Sequence, residues 1–186
     1  MMQLLLLRSS LFAVLLTLVF SGCATDRASS LGDSATMGRL MAERLGWMKQ
    51  VARVKQARHL PVTDAKREAE VLTAMVKQGA GHGLPPAAVK AYFNGQMQAA
   101  REQQRQWMMM VYHPEVKNEP MPDLAKTVRP ALDAIGQRMI VGLAQARASG
   151  KKEQIIAEAR RLLTEKGYVP EVIEPALRGL EAGLAE

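Results

Sequence analysis

An all-α fold, a helical bundle of about six helices with a polar pocket between the helices, is predicted by three features of the 186-residue chain. Apolar residues recur at steps of three and four over long stretches, and helix starts and stops punctuate them at regular intervals. Charged residues also fall on several of the apolar stripes, and strand-like alternation is lacking. At this length one domain with one sizeable core is expected.

After a polar linker at 23–32, Asp33 or Ser34 can cap a first helix reaching about residue 58, with Met37, Leu40, Met41, Leu45, Met48, Val51 and Val54 on its apolar side. The stretch "HLPV" (59–62) breaks it. Thr63 or Asp64 then caps a second helix that ends at the glycine cluster "GAGHG" (79–83). Pro85 and Pro86 open a long third helix to about residue 112, where His113 and Pro114 stop it. The tract "PEVKNEPMP" reads as a loop. A fourth helix spans about 123–148, tolerating Pro130 near its first turns, and Ser149-Gly150 closes it. Two shorter helices follow at about 152–166 and 170–184, separated by "GYV". The expected domain is thus 33–186, a core at 33–148 with a C-terminal helical extension at 149–186.

Arg8, the apolar run "LFAVLLTLVF" (11–20) and the small residues of "SGCAT" form a secretory signal, too short to span a bilayer. Cys23 is the only cysteine, so an intramolecular disulfide is excluded. Its setting is similar to a bacterial lipobox, with Phe20 where Leu is usual, so cleavage before Cys23 with acylation and ordinary cleavage near Ala24 both stay open. The expected location is outside the cytoplasm, in the periplasm, free or lipid-anchored at Cys23. Removing 1–22 leaves 24 basic and 18 acidic side chains. The formal +7 of the whole chain does not read as a nucleic-acid surface: the cations alternate with acids, no like-charge block occurs, and aromatic residues are 4%.

The stripes carry the functional signal. In the first helix Met37, Met41, Arg44, Met48, Val51 and Lys55 share one face, so two cations interrupt it about three turns apart, roughly 16 Å on a straight helix. In the second, Arg67 lines up with Val71 and Ala74, and Glu68 with Leu72 and Met75. The third aligns Val89, Phe93, Met97 or Gln96, Ala100, Gln104, Trp107 and Val111, with Gln104 its firmly polar member. In the fourth, Arg129 sits among Ala125, Leu132, Gly136, Met139 and Leu143. Long cationic side chains at helix edges often reach water, but an unpaired buried charge costs several kcal/mol, and the same anomaly on four helices points to a shared polar pocket. Arg44, Lys55, Arg67 and Arg129 against Asp64 and Glu68 leave it at +2, which calls for a small dianion. A Ser/His/Asp or Cys/His set is not readable, and His59, His82 and His113 lie at helix ends without metal-ligand spacing. The run "WMMMVY" (107–112) reads as core packing.

An inward Arg, a Lys eleven residues on, Asp and Arg-Glu after a proline-containing turn, and a Gln far down a long helix resemble the all-helical chorismate mutases. The tract "LMAERLGWMKQVARVKQARHLPVTDAKREAEVL" (40–72) with "GQMQAAREQQ" (95–104) resembles the exported subclass in particular. The resemblance covers about 40–143. It implies that Arg44 and Arg129 hold substrate carboxylates and that Lys55 contacts a carboxylate and the ether oxygen. Gln104 would donate to that oxygen from the other side, Arg67 and Glu68 would lie near the ring hydroxyl, and Asp64 would shape that end. Ala100 departs from the family, which commonly has Ser or Thr there. The implied activity is the [3,3] rearrangement of chorismate to prephenate, a step of aromatic amino acid biosynthesis in the shikimate pathway, without cofactor or metal. A homodimer is the expected assembly. Two alternatives are an isochorismate-pyruvate lyase and a catalytically silent lipoprotein binding an anionic metabolite or a partner.

Overall fold

The computed structural model describes residues 23–110 and 120–185, with side chains from Ser34 onward. The expected leader at 1–22, the Cys23 side chain, Val111 and Tyr112, and the expected helix stop at His113 and Pro114 lie outside the described residues. Every regular element within them is helical: α1 (Cys23–Gly46), α2 (Met48–Ala57), α3 (Ala65–Ala80), α4 (Pro86–Met110), α5 (Arg129–Ser149), α6 (Lys152–Glu165) and α7 (Pro170–Gly183). A π-helical turn, Leu124–Val128, leads directly into α5. Since α1 and α2 are one rod bent at Trp47, these elements amount to the six expected helices.

Three local features depart from the sequence expectation. Helical backbone runs through 23–32, where a linker is expected; the stretch has no proline, and its single glycine costs a helix only about 1 kcal/mol. The rod bends after Gly46, where Trp47 leaves the ladder and its carbonyl accepts from both Gln50 N–H and Val51 N–H. Before Pro130 the backbone widens, with Val128 N–H reaching the Asp123 carbonyl at 3.1 Å, because the proline lacks an N–H and its ring crowds the carbonyl four residues back. Asp123 caps this turn by accepting from the Ala125 and Lys126 amides at 2.8 and 3.0 Å.

One apolar cluster joins every helix, from Met37, Met41 and Leu45 through Tyr92 and Phe93 to Met139, Leu143, Leu163 and Leu180. The helices of the C-terminal extension share it. α6 lies on α1, and α7 lies along α4, where Gly95 and Gly179 bring the two backbones together. A Cβ at Gly95 would stand 2.6 Å from both the Gly179 Cα and the Pro175 carbonyl oxygen. Gln96 spans the same seam by donating to the Ala176 carbonyl at 3.2 Å. The "WMMMVY" expectation is corrected for its described residues, 107–110: Met109 and Met110, in the last turn of α4, are 73% and 51% exposed, and Trp107 lies half-buried with the Lys49 ammonium 5.5 Å from its ring centre.

Gly95→Ala sets a β-carbon against unyielding backbone, which outweighs alanine's better helix propensity. We expect destabilisation by about 2–3 kcal/mol and a Tm roughly 4–12 °C lower in a thermal melt followed by circular dichroism. An unchanged Tm would contradict the tight α4–α7 crossing.

Candidate active site

Four stretches of chain enclose a cavity of about 420 Å³: the bent α1–α2 rod, the turn and first half of α3, the inner face of α4, and the π turn with the start of α5. Every residue singled out from the stripes lines it: Arg44, Lys55, Asp64, Arg67, Glu68, Ala100, Gln104 and Arg129. The volume suits a small organic molecule. Apolar walls come from Met48, Val51, Phe93, Met97, Val128 and Leu132.

The geometry sorts the cations into two groups. Arg67 makes a forked contact with Asp133, Nη2 lying 2.6 and 2.8 Å from the two carboxylate oxygens. Arg101 Nη1 meets Glu68 Oε2 at 2.6 Å, and Arg129 Nη2 lies 3.7 Å from Asp64 Oδ2. Arg44 and Lys55 form no ion pair among the described residues, yet each is only 8% exposed. The Arg44 Nη1 atom is buried without any hydrogen-bond partner. Burial lowers the Arg44 pKa, partly countered by Tyr92, Asp133 and Glu68. Burial likewise lowers that of Lys55, against Asp64 and Glu68, with Arg129 adding to the depression. With five cations and three carboxylates on its walls the cavity carries a formal +2, and that excess resides on Arg44 and Lys55.

Local structure explains how each group reaches its place. The stripe faces inward on both sides of the interruption at Trp47, so Arg44 from α1 and Lys55 from α2 enter one cavity. α2 ends with His59 in the left-handed region, φ 52°, and the Leu60 N–H returns to the Lys55 carbonyl at 2.8 Å, a Schellman-type closure that glycine more often provides. The chain then folds over the cavity mouth, and Lys55 Nζ donates to the Val62 carbonyl at 2.5 Å. Asp64 caps α3 by accepting from the Arg67 amide at 3.1 Å, which also fixes the direction in which Arg67 leaves the helix. On α4, Gln104 is 6% exposed; its Nε2 touches only the Met48 sulfur at 3.5 Å, and its Oε1 is buried without a partner. A half-turn of the amide exchanges its two ends at the cost of that weak contact alone.

One expectation needs correction. Arg129 is not a core residue: its side chain is 45% exposed at the cavity rim, because it stands on the first turn of α5, and Ala125 on the same stripe is exposed too. Asp64, at 41%, shares this rim. Two charged wall residues escape the sequence reading. Asp133 and Arg101 lie beside the stripes rather than on them, and their partners are 66 and 33 residues away. Their only signal in the sequence is that each neighbours a stripe residue, Leu132 and Ala100.

The chain that builds this cavity is also similar to known proteins. A family model described as chorismate mutase type II matches residues 35–105. The monofunctional chorismate mutase of Enterobacter agglomerans is 27% identical over 166 residues, 88% of this chain and 89% of that protein. The crystal structure of chorismate mutase from Burkholderia thailandensis superposes with a TM-score of 0.69 at 25% identity, covering 81% of this chain and 98% of that one. The secreted chorismate mutase of Yersinia pestis shares the fold at a TM-score of 0.68 and 22% identity, over 78% of this chain and 94% of that one.

Replacing Arg44 by Met, similar in length and apolar, removes a buried charge that lacks a partner. The variant should gain about 1–2 kcal/mol in urea unfolding while losing affinity for a small dicarboxylate in calorimetry. Lower stability would mean that Arg44 is neutralised by the protein itself.

Proposed function

As the chain belongs to the type II chorismate mutases, we propose that it converts chorismate to prephenate in this cavity, with Arg44 and Lys55 as the two cations that receive the substrate's negative charge. The single observation carrying the proposal is the pair of buried cations without carboxylate partners on the wall of one cavity. Chorismate has two carboxylates, so its entry neutralises what the fold leaves uncompensated.

The rearrangement is intramolecular. The C–O bond of the enol ether breaks as a C–C bond forms between the side chain and the ring, and no proton or group leaves the molecule. A protein has two tasks in such a reaction. It must hold the enolpyruvyl arm over the ring, which is a proximity effect, and it must favour the charge that gathers on the ether oxygen. We assign the first task to Arg44, deep in the cavity, and Arg129 at its rim, each on a carboxylate, with Lys55 sharing one of the two. The second falls to Lys55 and Gln104, donors from α2 and α4. Lys55 must exchange its Val62 carbonyl for the substrate, and Gln104 must present its amide nitrogen. Arg67 and Glu68 take the ring-hydroxyl end, Asp64 shapes the turn above it, and Ala100 gives that part of the wall a methyl group in place of a hydroxyl.

The matched family and curated relative are chorismate mutases, which favours this activity over the lyase and over silent binding. We also infer export. The leader-like residues 1–22 support it, as does the fold shared with a secreted relative, and among the described residues no helix is long and apolar enough to cross a membrane. Acylation of Cys23 and assembly as a homodimer belong to the same proposal. Mass spectrometry of the mature N-terminus separates an acylated Cys23 from cleavage near Ala24, and sedimentation reads the assembly.

Lys55→Ala, with its fold verified by circular dichroism, should lower kcat on the order of 100- to 1000-fold in an assay of chorismate consumption. Near-normal turnover would defeat the assignment. The pH profile supplies a second test. Lys55 donates only while protonated, and burial lowers its pKa, so activity should be flat from about pH 5 to 8 and fall on the alkaline side before the range of an ordinary lysine. Gln104 does not titrate. Gln104→Glu donates only as the neutral acid, so its activity should drop as pH rises through the carboxyl's pKa, and an unaltered profile would count against the contact.

A further inference from the structure

We propose that Arg101 is a positioning residue for this reaction, holding the Glu68 carboxylate at the ring-hydroxyl end of the cavity; the inference rests on the functional reading above. Arg101 follows Ala100 and precedes Gln104 by three residues, so it leaves α4 from the flank of the face that lines the cavity. Its Nη1 meets Glu68 Oε2 at 2.6 Å, both side chains being about one-quarter exposed. On the far side lies a second hollow of about 430 Å³ between α4 and α7, and Arg101 and Glu68 line both spaces. The ion pair is therefore the partition between them. Of the described residues lining the outer hollow, Glu68 is the only acid, while Arg178 there offers it a competing cation from α7.

A glutamate in this place has a choice. It stands in the first turn of α3, its ion pair with Arg101 is its sole one among the described residues, and its three side-chain torsions allow it to turn toward the cavity or toward the outer hollow. Arg101 removes that choice by engaging one carboxylate oxygen. The other, Oε1, stays available to accept a hydrogen bond from a ring hydroxyl. Preorganising a single acceptor in this way raises affinity without contact between Arg101 and the reacting atoms. The arrangement also reassigns the family's departure at position 100: beside an alanine that cannot hold anything, the neighbouring arginine holds the opposite wall.

The test measures kcat and KM for wild type, Arg101→Met, Arg101→Lys, Glu68→Gln and the Arg101→Met/Glu68→Gln double variant, on chorismate and on its analogue lacking the ring hydroxyl. Met keeps the aliphatic stem and loses the charge, and Lys keeps the charge, so one of the two reports even where the other folds poorly. We expect Arg101→Met to lower kcat/KM for chorismate about tenfold, mostly through KM, Arg101→Lys to recover most of it, and the double variant to match Glu68→Gln. On the analogue Arg101→Met should change kcat/KM less than twofold. Equal losses on both substrates would reveal a purely structural role and overturn the proposal, as would additive effects in the double variant or no loss on chorismate. An inert wild type would instead strike the functional reading on which the proposal stands.

Discussion

Two positive charges buried without negative partners are the constraint around which this structure is organised. A guanidinium and an ammonium taken out of water each carry a desolvation cost of several kcal/mol, normally offset by a facing carboxylate. The fold has acids available, and it commits them elsewhere: Asp133 to Arg67, Glu68 to Arg101, Asp64 to Arg129. Arg44 and Lys55 are left with burial that depresses both pKa values and, for Lys55, one backbone carbonyl. Stability comes instead from the continuous apolar core that joins all helices. The cavity is in this sense an unfinished part of the interior, completed by a guest of charge −2.

That electrostatic arrangement suits a reaction in which nothing is added or removed. A nucleophile must be activated and a general acid must titrate near neutrality, and both need groups poised between two protonation states. A pericyclic step needs fixed charge and fixed shape. Paired arginines with rigid carboxylate partners supply shape, because an ion pair holds each head group in one rotamer. The two unpaired cations give the cavity its excess charge, and Gln104, tied to the protein by a single weak sulfur contact, keeps an amide that the protein leaves unsatisfied.

The residues legible in the sequence are those that violate the helical period. Arg44 and Lys55 stand on a stripe otherwise made of Met and Val, and Gln104 on one of Val, Phe and Ala, so a period of 3.6 residues and the cost of burying a polar group are enough to find them. Asp133 and Arg101 break no pattern: each lies next to a stripe, where a charged residue is ordinary, and what makes them part of the site is a partner on another helix. Pairing across 66 or 33 residues is a property of the fold and leaves no trace in local spacing. Arg129 fails in the opposite direction, because periodicity specifies a face of a helix and says nothing of how much protein stands in front of each turn. The bend at Trp47 was hidden for a similar reason. Gly46 and an aromatic residue weaken a helix without ending it, and packing against α4 and α5 decides the outcome.

The C-terminal helices gain a physical role from their place behind the cavity. α4 contributes Phe93, Met97, Ala100 and Gln104 to the inner wall, and its outer side is pressed onto α7 through Gly95, Gly179 and the Gln96 bond to the Ala176 carbonyl. A wall that carries a buried polar group into a cavity holds it more firmly when a second helix backs its far side, since a lone helix rolls and shifts with little resistance. Contact between two glycine backbones leaves no side-chain layer to deform, so it is among the stiffest seams available to a pair of helices. The matched family segment stops at residue 105, before α5, α6 and α7 begin, yet the position of its own Gln104 depends on a seam that α7 completes. Residues 149–185 are therefore part of what makes the cavity a preorganised one, even though none of these described residues lines it.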